Sequence, residues 1–249
     1  MVAFIFTLLV SFSANAYVVI GHDFEPYYFK SGSEGIQGAC YEIIQKLCQM
    51  EKVHCKFKLA PFRKFLTMLK NGDADIGCPL AESPQRKSVY YFSEKIFATR
   101  YAFFGAPEYV NKIKTYDDLK GLGVGVMSPS LTEVSLLKAQ EYADRKIKIH
   151  PEVNTDVSLR RANTKKYPLT YVNRDVANAW IKKNRSRMIE VKSLGEDVGY
   201  SLIFSKKSVS QQHFEKMQDH LRSLLKSKDL ESICEKYSLT PLSRVSDQK

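Results

Sequence analysis

The chain has 249 residues, of which 44% are hydrophobic and 26% charged, and these values are ordinary for a soluble globular protein. This length suffices for one large domain or for two smaller domains with real cores. The formal net charge of +11 allows an anionic ligand or an acidic partner. The lysines and arginines are spread along the chain without an RNP-like, zinc-finger or basic-zipper pattern, however, which argues against nucleic-acid binding.

An apolar segment, MVAFIFTLLVSFSANA, opens the chain and ends in Ala14-Asn15-Ala16. Small residues at the first and third of these positions are what a signal peptidase accepts before its cleavage site. The apolar run is too short to span a bilayer as a stable helix. We therefore expect residues 1–16 to be a secretory signal peptide and the protein to be periplasmic. The run lacks a preceding Lys or Arg, so a buried N-terminal helix is the alternative.

Five cysteines suit an exported protein, because disulfides persist outside the reducing cytoplasm. Their odd number leaves at least one outside any intramolecular disulfide. Cys48 ends a helical pattern and Cys55 begins a strand pattern, so a short turn can bring them together and we expect them to pair. The sequence leaves the pairing of Cys40, Cys78 and Cys234 open. The cysteine spacings contain no CxxC motif and no zinc-ligand set.

Strand and helix patterns alternate in the first part of the chain. Short apolar or alternating runs predict strands, and apolar residues at helical spacing predict helices. The predicted elements are a strand at Tyr17–Gly21, a helix at Gly38–Met50, a strand at Val53–Leu59, a helix at Pro61–Lys70 and a strand at Ala74–Gly77. Such alternation is typical of a parallel sheet with helices on its faces.

The same alternation resumes near Ala106. The predicted helices are Tyr116–Leu119, Leu131–Tyr142, Asp156–Ala162 and Asp175–Lys183, and the predicted strands are Leu122–Met127, Lys146–His150, Leu169–Val172 and Arg187–Val191. A last strand is predicted at Tyr200–Phe204, followed by two helices with an apolar stripe at helical spacing. We therefore predict an α/β protein with two mostly parallel sheets.

Two strand-like stretches, Tyr101–Gly105 and Tyr200–Phe204, are the natural points at which the chain crosses between two units. Two crossings make the first unit discontinuous. We therefore predict lobe 1 over residues 17–104 and 202–243, lobe 2 over residues 105–201, and a frayed tail over residues 244–249. Ligands in such folds bind at the carboxyl ends of strands and between lobes.

The sequence contains no motif that is typical of an enzyme active site. It has no GxSxG nucleophile elbow and no Walker loop, and GLGVGV at Gly121–Val126 is not GxGxxG, because its glycines precede and enter a strand. SLLK at Ser135–Lys138 and Ser223–Lys226 fits amphipathic helices better than a Ser/Lys catalytic pair. The five histidines share no metal-ligand spacing. We therefore predict that the protein is not an enzyme and uses no metal or cofactor.

Six segments, taken in order, carry a family resemblance. They are HDFEPYYF at 22–29, GIQGACYEIIQKLC at 35–48, PFRKFLTMLKNGDADIG at 61–77, SPQRKSVYYFS at 83–93, YDDLKGLGVGVMSPSLTE at 116–133 and the stretch GYSLIF to EKY at 199–237. Their order and spacing resemble those of the periplasmic solute-binding proteins of polar amino-acid ABC importers, family 3 of the extracellular binders. Cys48 and Cys55 match the disulfide spacing of the basic amino-acid binders in that family. The resemblance implies a two-lobed periplasmic-binding-protein-like (type II) fold with two crossing hinge strands.

The resemblance also implies a ligand site. Arg86 occupies the position of the family arginine that holds the α-carboxylate of the ligand, and a guanidinium offers a carboxylate two parallel donors. The backbone N–H groups at the start of the helix that follows Ser130, beginning at Leu131, are implied to face the same anion. Phe24 and Phe62 align with the aromatic walls that enclose the side chain of the ligand.

Some positions depart from the family pattern. Ala81 stands where the family often has a Thr hydroxyl, and Pro79 where a Gly often lends its carbonyl. Asn173 stands where the family usually has an Asp that binds the ammonium of the ligand, and Pro129 replaces a Gly. The contact to the carboxylate of a ligand is thus retained, and the contact to its ammonium group is weakened. The weakening follows because a charged hydrogen bond contributes roughly 1.5–3 kcal/mol and a neutral one about 1. A carboxylate with a different or neutral second end is therefore expected as readily as an α-amino acid.

The function implied is capture of a small carboxylate-bearing ligand by hinge closure of a monomeric protein, for delivery to the membrane permease of an ABC importer. Two alternatives remain. One is an enzyme on the same fold, similar to cyclohexadienyl dehydratase, whose acid or base would be His22, Glu25 or Cys78. The other is a sensory or interaction domain with a degenerate cleft.

Overall fold

The computed structural model describes residues 16–32 and 34–242. The predicted signal peptide lies outside these residues except for Ala16, and the predicted tail over 244–249 lies outside them entirely. Within the described ranges no helix combines the length and apolarity needed to cross a membrane.

The elements alternate much as the sequence predicts. The strands are β1 (Ala16–Gly21), β2 (Phe29–Ser31), β3 (Gly35–Gln37), β4 (His54–Leu59), β5 (Ile76–Ala81), β6 (Tyr90–Phe92), β7 (Phe97–Gly105), β8 (Gly123–Met127), β9 (Lys148–Glu152), β10 (Leu169–Asn173), β11 (Ile189–Glu190), β12 (Glu196–Ser205) and β13 (Thr240–Pro241). The helices are α1 (Ala39–Glu51), α2 (Phe62–Asn71), α3 (Pro84–Val89), α4 (Pro107–Val110), α5 (Leu131–Glu141), α6 (Thr155–Asn163), α7 (Arg174–Asn184), α8 (Gln211–Leu225) and α9 (Lys228–Lys236), with a 3-10 turn at Tyr116–Leu119.

One mixed sheet runs through the described residues in the order β4-β1-β5-β12-β7-β10-β8-β9, and the short strands β6, β11 and β13 join its sides. β1 is parallel to β4 and β5, and β8 is parallel to β9 and β10. The predicted α/β class is confirmed, but eleven strands form one mixed sheet in place of the two mostly parallel ones, and β2 and β3 form a separate antiparallel pair. The physical reason is that the crossing strands β7 and β12 pair antiparallel with each other and join the two parallel parts.

The two crossing strands are longer than the sequence predicts. The first half of β7, Phe97–Tyr101, pairs with Glu196–Tyr200 of β12, and its second half pairs with β10. The second half of β12 pairs with β5. Each crossing strand therefore belongs to both parts of the sheet, and their mutual pairing is the hinge between lobe 1 and lobe 2. The exact lobe boundaries at residues 104/105 and 201/202 stay a prediction.

Alternation along the hinge strand β7 distributes the core of lobe 2 to both faces of the sheet. Ala102 and Phe104 pack with residues of α6 and α7 in one cluster, whereas Phe103 packs with residues of α5 in another. Successive side chains of a strand point to opposite faces, so one strand serves both layers. The sheet is thus covered by helices on both sides at the point where the lobes meet.

Helix α3 is not among the predicted elements, and the strand predicted to end at Gly77 is longer than expected. SPQRKSV forms a short helix that is capped by Ser83 and has Pro84 in its first turn. Strand β5 continues past Gly77 to Ala81. Pro79 lies inside β5 and has no N–H to donate, and the pairing of β5 with β12 is irregular there. Because proline is rare in central strands, the sequence does not predict that β5 extends to Ala81, although this strand is buried along its whole length.

Two disulfides fix α1 to its surroundings. The predicted pair, Cys48 and Cys55, is confirmed and links the end of α1 to β4. A second disulfide joins Cys40 of α1 to Cys78 of β5, a pairing that the sequence left open. Cys234 is buried in α9 and takes part in neither disulfide.

Candidate functional site

A small cavity of about 30 Å³ lies between the lobes, beside the paired hinge strands. It is lined by His22, Phe24, Phe62, Pro79, Leu80, Ala81, Arg86, Tyr101, Met127, Ser130, Leu131, Thr132 and Tyr200. Larger open grooves of 460 to 600 Å³ also lie on the described surface. We take the small cavity as the candidate site, because a partly buried arginine and a buried histidine line the same space.

Arg86 reaches the cavity from α3. Ser83 begins this helix, since its Oγ accepts a hydrogen bond of 3.2 Å from the backbone N–H of Arg86. The Nη1 atom of Arg86 donates to the carbonyl oxygen of Ala81 over 2.8 Å, and its Cζ atom lies 6.0 Å from the centre of the Phe62 ring. Ala81 thus contributes its backbone to the site by orienting the guanidinium.

No carboxylate of the described residues balances the positive charge of Arg86. Among residues 16–32 and 34–242, no carboxylate forms an ion pair with its guanidinium. Burial lowers the pKa of Arg86, while the neighbouring hydroxyls of Tyr101, Tyr200 and Tyr90 raise it. An arginine side chain nevertheless stays protonated in proteins. The cavity therefore offers a fixed cation to an anionic ligand.

His22 follows β1 at the carboxyl end of that strand and is only 5% exposed. Its ring lies 4.8 Å from the ring centres of both Phe24 and Phe62, and 5.4 Å from that of Phe65. Its Nδ1 atom has no hydrogen-bond partner in the described part of the chain. Burial, reinforced by the charge of Arg86, lowers the pKa of His22 to about 3, so the ring is neutral at physiological pH.

This buried ring predicts a pH-dependent stability. The pKa of His22 is about 3 in the folded protein and about 6.5 in an unfolded chain, so the unfolded state binds the proton first as the pH falls. The neutral His22 ring contributes fully to the free energy of unfolding above about pH 6.5, and this contribution is lost progressively towards pH 3. Between pH 7 and pH 5 we expect the free energy of unfolding to fall by about 2 kcal/mol for this reason.

Urea unfolding at pH 7 and at pH 5 checks this expectation. A His22→Phe variant keeps a ring in the aromatic cluster and removes the titrating group, so it should lack the extra loss. Equal losses in the variant and the parent protein would show that His22 is not a neutral buried ring.

Both predicted aromatic walls line the cavity. Phe24 is buried and stacks on Tyr27, with ring centres 5.7 Å apart, and its edge meets Tyr200 at 6.1 Å. Phe62 begins α2 directly after Pro61, which places its ring beside Arg86. These rings give the cavity apolar sides on which the aliphatic part of a ligand can pack.

The start of α5 lines the cavity from lobe 2, as predicted for Ser130 and Leu131. Ser130 caps this helix, because its Oγ accepts the backbone N–H of Glu133 over 3.0 Å and donates to the carbonyl of Met127 over 2.6 Å. The first turn of an α-helix carries unsatisfied N–H groups and a partial positive charge. Arg86 and α5 therefore present positive potential to one small space from the two lobes.

The side-chain amide of Asn173 is fully hydrogen-bonded to other groups of the protein. Its Oδ1 accepts the backbone N–H groups of Asp175 and Val176 at the start of α7, over 3.0 and 3.1 Å. Its Nδ2 donates to the hydroxyls of Thr99 and Tyr200, over 3.1 and 3.2 Å. These four bonds use both N–H groups and both lone pairs of the amide. Asn173 lines a smaller space next to the cavity, and its predicted contact with a ligand would require one of these bonds to break.

Asp175 is engaged as well, in a contact between the lobes. The hydroxyl of Tyr27 donates to its Oδ2 over 2.5 Å, and burial raises the pKa of this carboxyl group. A second contact between the lobes joins Lys183 Nζ to a Glu25 carboxylate oxygen over 2.6 Å. The lobes therefore touch each other directly beside the cavity.

Sequence analysis did not single out the two hinge tyrosines or Thr132. Tyr101 lies on β7, Tyr200 on β12 and Thr132 at the start of α5, and all three line the cavity. The sequence could have indicated the two tyrosines by their position, because residues in strands that cross between lobes lie where a ligand would bind.

The candidate groups for acid–base catalysis do not meet. Cys78 forms a disulfide with Cys40, and Glu25 forms an ion pair with Lys183, so of the three groups only His22 lines the cavity. Within the described ranges no three His, Cys, Asp or Glu side chains are arranged to hold a metal ion.

Comparison with known protein families gives one match. The model of the bacterial extracellular solute-binding proteins, family 3, matches residues 17–240. Compared with curated protein sequences, the chain gives no significant match.

Solved structures share the fold across most of the chain. A histidine kinase sensor domain with similarity to periplasmic binding proteins is 17% identical, with a TM-score of 0.79 over 90% of this chain and 97% of its own. The L-arginine-bound substrate-binding protein AbpA of an amino acid ABC transporter from Streptococcus pneumoniae is 17% identical, with a TM-score of 0.78 over 89% and 94%. The ancestral amino acid-binding protein AncCDT-1, a precursor of cyclohexadienyl dehydratase, is 18% identical, with a TM-score of 0.76 over 89% and 94%. At these identities the likeness establishes the fold, and the predicted periplasmic-binding-protein-like architecture is confirmed.

Proposed function

The chain belongs to family 3 of the bacterial extracellular solute-binding proteins, and from this premise we propose that it captures a small carboxylate-bearing ligand, an amino acid or an analogue, between its two lobes. The observation that carries the proposal is Arg86, a partly buried cation that lines the cavity without a carboxylate partner among the described residues. A bidentate guanidinium–carboxylate pair is strong and directional. The start of α5 adds positive potential from the opposite lobe.

The hinge supports capture by closure. Only β7 and β12 need to bend for the lobes to separate, because each belongs to both parts of the sheet. Binding would then favour the closed state by bridging Arg86 in lobe 1 and α5 in lobe 2. In this proposal the protein is exported by its N-terminal signal peptide, acts as a monomer without a cofactor, and delivers its ligand to the permease of an ABC importer.

A second candidate function is a sensory or interaction domain with a reduced cleft. The observation that favours it is the small cavity, about 30 Å³, beside contacts that already join the lobes through Tyr27 and Asp175. A protein of this kind would fold and melt cooperatively but bind no small molecule.

An enzyme on the same fold would have to rely on His22 as its acid or base. Turnover of a bound ligand would establish that the protein is an enzyme.

The test is a thermal-shift panel on the protein that begins at Tyr17, with amino acids, hydroxy acids, dicarboxylates, opines, small peptides and neutral controls. A ligand at about a hundred times its dissociation constant adds roughly 2.7 kcal/mol to the free energy of unfolding. In a chain of this size that raises the melting temperature by roughly 5–10 °C. We expect such a shift with at least one carboxylate. A flat panel on a cooperatively melting protein would contradict capture of a small carboxylate and favour the interaction domain.

A further inference from the structure

We propose that the ligand is a small carboxylate that carries an oxygen, and not an ammonium group, on its α-carbon, and that His22 recognises this oxygen while Arg86 holds the carboxylate. The inference rests on the proposed function and names the chemical class that the same site would take. An α-hydroxy or α-keto acid has this chemistry.

The described residues that line the cavity offer no negative charge to an ammonium group. Among the described residues that line it, Arg86 is a cation and none is an Asp or Glu. An ammonium group that loses its water without meeting a carboxylate is strongly penalised, more so beside a second positive charge. The site would therefore reject the amino group of an α-amino acid.

The nearby side chains with an amide or carboxylate oxygen, Asn173 and Asp175, are already hydrogen-bonded to protein atoms. All four hydrogen-bonding positions of the Asn173 amide are satisfied by protein atoms. The Asp175 carboxylate accepts the hydroxyl of Tyr27, and Asp175 is absent from the lining of the cavity. Freeing either group would break contacts at the start of α7 or between the lobes.

A ring nitrogen of His22 also supports the inference. This side chain is 95% buried and lines the cavity, and its Nδ1 atom has no hydrogen-bond partner in the described part of the chain. A buried polar atom without a partner is destabilising. Protein atoms enclose Nδ1 while the lobes are closed, so a ligand oxygen that meets it as the lobes separate and close again would gain affinity. The neutral ring accepts a hydrogen bond from a hydroxyl or donates one to a carbonyl, depending on its tautomer.

The positions of His22 and Arg86 also support the inference. His22 and Arg86 flank the same Phe62 ring, the imidazole at 4.8 Å and the guanidinium at 6.0 Å from its centre. Both groups therefore border the part of the cavity that lies beside the Phe62 ring.

Isothermal titration calorimetry with three acids of one carbon skeleton tests the inference. L-lactate, L-alanine and propionate differ only in the group on the α-carbon. We expect L-lactate to bind at least 10-fold more tightly than L-alanine or propionate. In a His22→Phe variant, L-lactate should lose about 10-fold in affinity while propionate stays unchanged, because only the hydroxyl contact is removed. His213→Phe, on the exposed face of α8, is the matched control and should leave all three affinities unchanged.

The outcomes separate this inference from the proposed function. Tighter binding of L-alanine, lost in Arg86→Ala, would overturn the inference and leave the proposed function standing. Equal binding of L-lactate and propionate, or an unchanged lactate affinity in a folded His22→Phe protein, would also overturn it alone. If none of these acids binds but another carboxylate in the panel does, the inference fails and the proposed function holds. A folded protein that binds no carboxylate at all overturns both.

Discussion

Replacement of Arg86 by alanine is expected to weaken carboxylate binding by about 100-fold or more while the protein stays folded. The substitution removes both donors of a charged, bidentate contact, and hydrogen bonds to charged groups contribute about 1.5–3 kcal/mol each. Folding should tolerate the change, because Arg86 lies on a short helix and gives up one hydrogen bond, to the carbonyl of Ala81, and no ion pair among the described residues. Calorimetry with the carboxylate that gives the largest thermal shift measures the effect.

Two further variants define what Arg86 contributes. Arg86→Lys keeps the positive charge but loses the planar pair of donors, so its affinity should fall between those of the parent protein and the alanine variant. Arg187→Ala removes an exposed arginine outside the cavity lining and should leave the affinity unchanged, which controls for the loss of one positive charge. If the folded Arg86→Ala protein binds as tightly as the parent, the ligand does not occupy this cavity through its carboxylate.

The position of Arg86 could be predicted from the sequence, but the element that carries it could not. Family spacing located the arginine, and its place in the cavity follows from the capped helix α3. A Ser-Pro pair that begins a helix looks the same in sequence as one that begins a turn, since both use a capping hydroxyl and a proline with fixed φ. The helix is recognisable only once β5 and β6 are seen to flank it.

The state of Asn173 could not be predicted for a different reason. The residue type showed that the charge of the family Asp is absent, but a local pattern does not reveal the partners of an amide. Two of its four partners, Thr99 on β7 and Tyr200 on β12, are distant in sequence and meet Asn173 only when the hinge strands pair. His22 illustrates the same limit, because its missing hydrogen-bond partner is a property of three-dimensional packing.

The candidate site and the hinge share residues, which would link the proposed binding to closure. Tyr101 and Tyr200 line the cavity and also belong to the paired strands that bend when lobes separate. A ligand that fixes these side chains therefore acts on the hinge directly. The contact from Tyr27 to Asp175 joins the lobes through protein atoms alone, and such a contact would lower the free energy that a ligand must supply to hold them closed.

Loss of the Cys40–Cys78 disulfide should lower the free energy of unfolding by about 4 kcal/mol, more than any other change considered for this fold. The bridge spans 38 residues, whereas the Cys48–Cys55 bridge spans 7. In the chain-entropy account a longer closed loop restricts the unfolded chain more, which gives about 4 kcal/mol for the first bridge and about 2 for the second. In a chain of this size the first loss corresponds to a fall of roughly 8–16 °C in melting temperature.

The Cys40→Ala/Cys78→Ala and Cys48→Ala/Cys55→Ala double variants provide the comparison, by thermal and urea unfolding under oxidising conditions. The first pair should also affect binding, because Cys78 lies on β5, whose next residues, Pro79 to Ala81, line the cavity and hold Arg86 through a carbonyl. The second pair joins α1 to β4 at a distance from these residues and should leave the affinity unchanged. Equal losses of stability in the two variants would contradict the dependence on loop length. An unchanged affinity in a folded Cys40→Ala/Cys78→Ala protein would show that β5 keeps its position through sheet pairing alone.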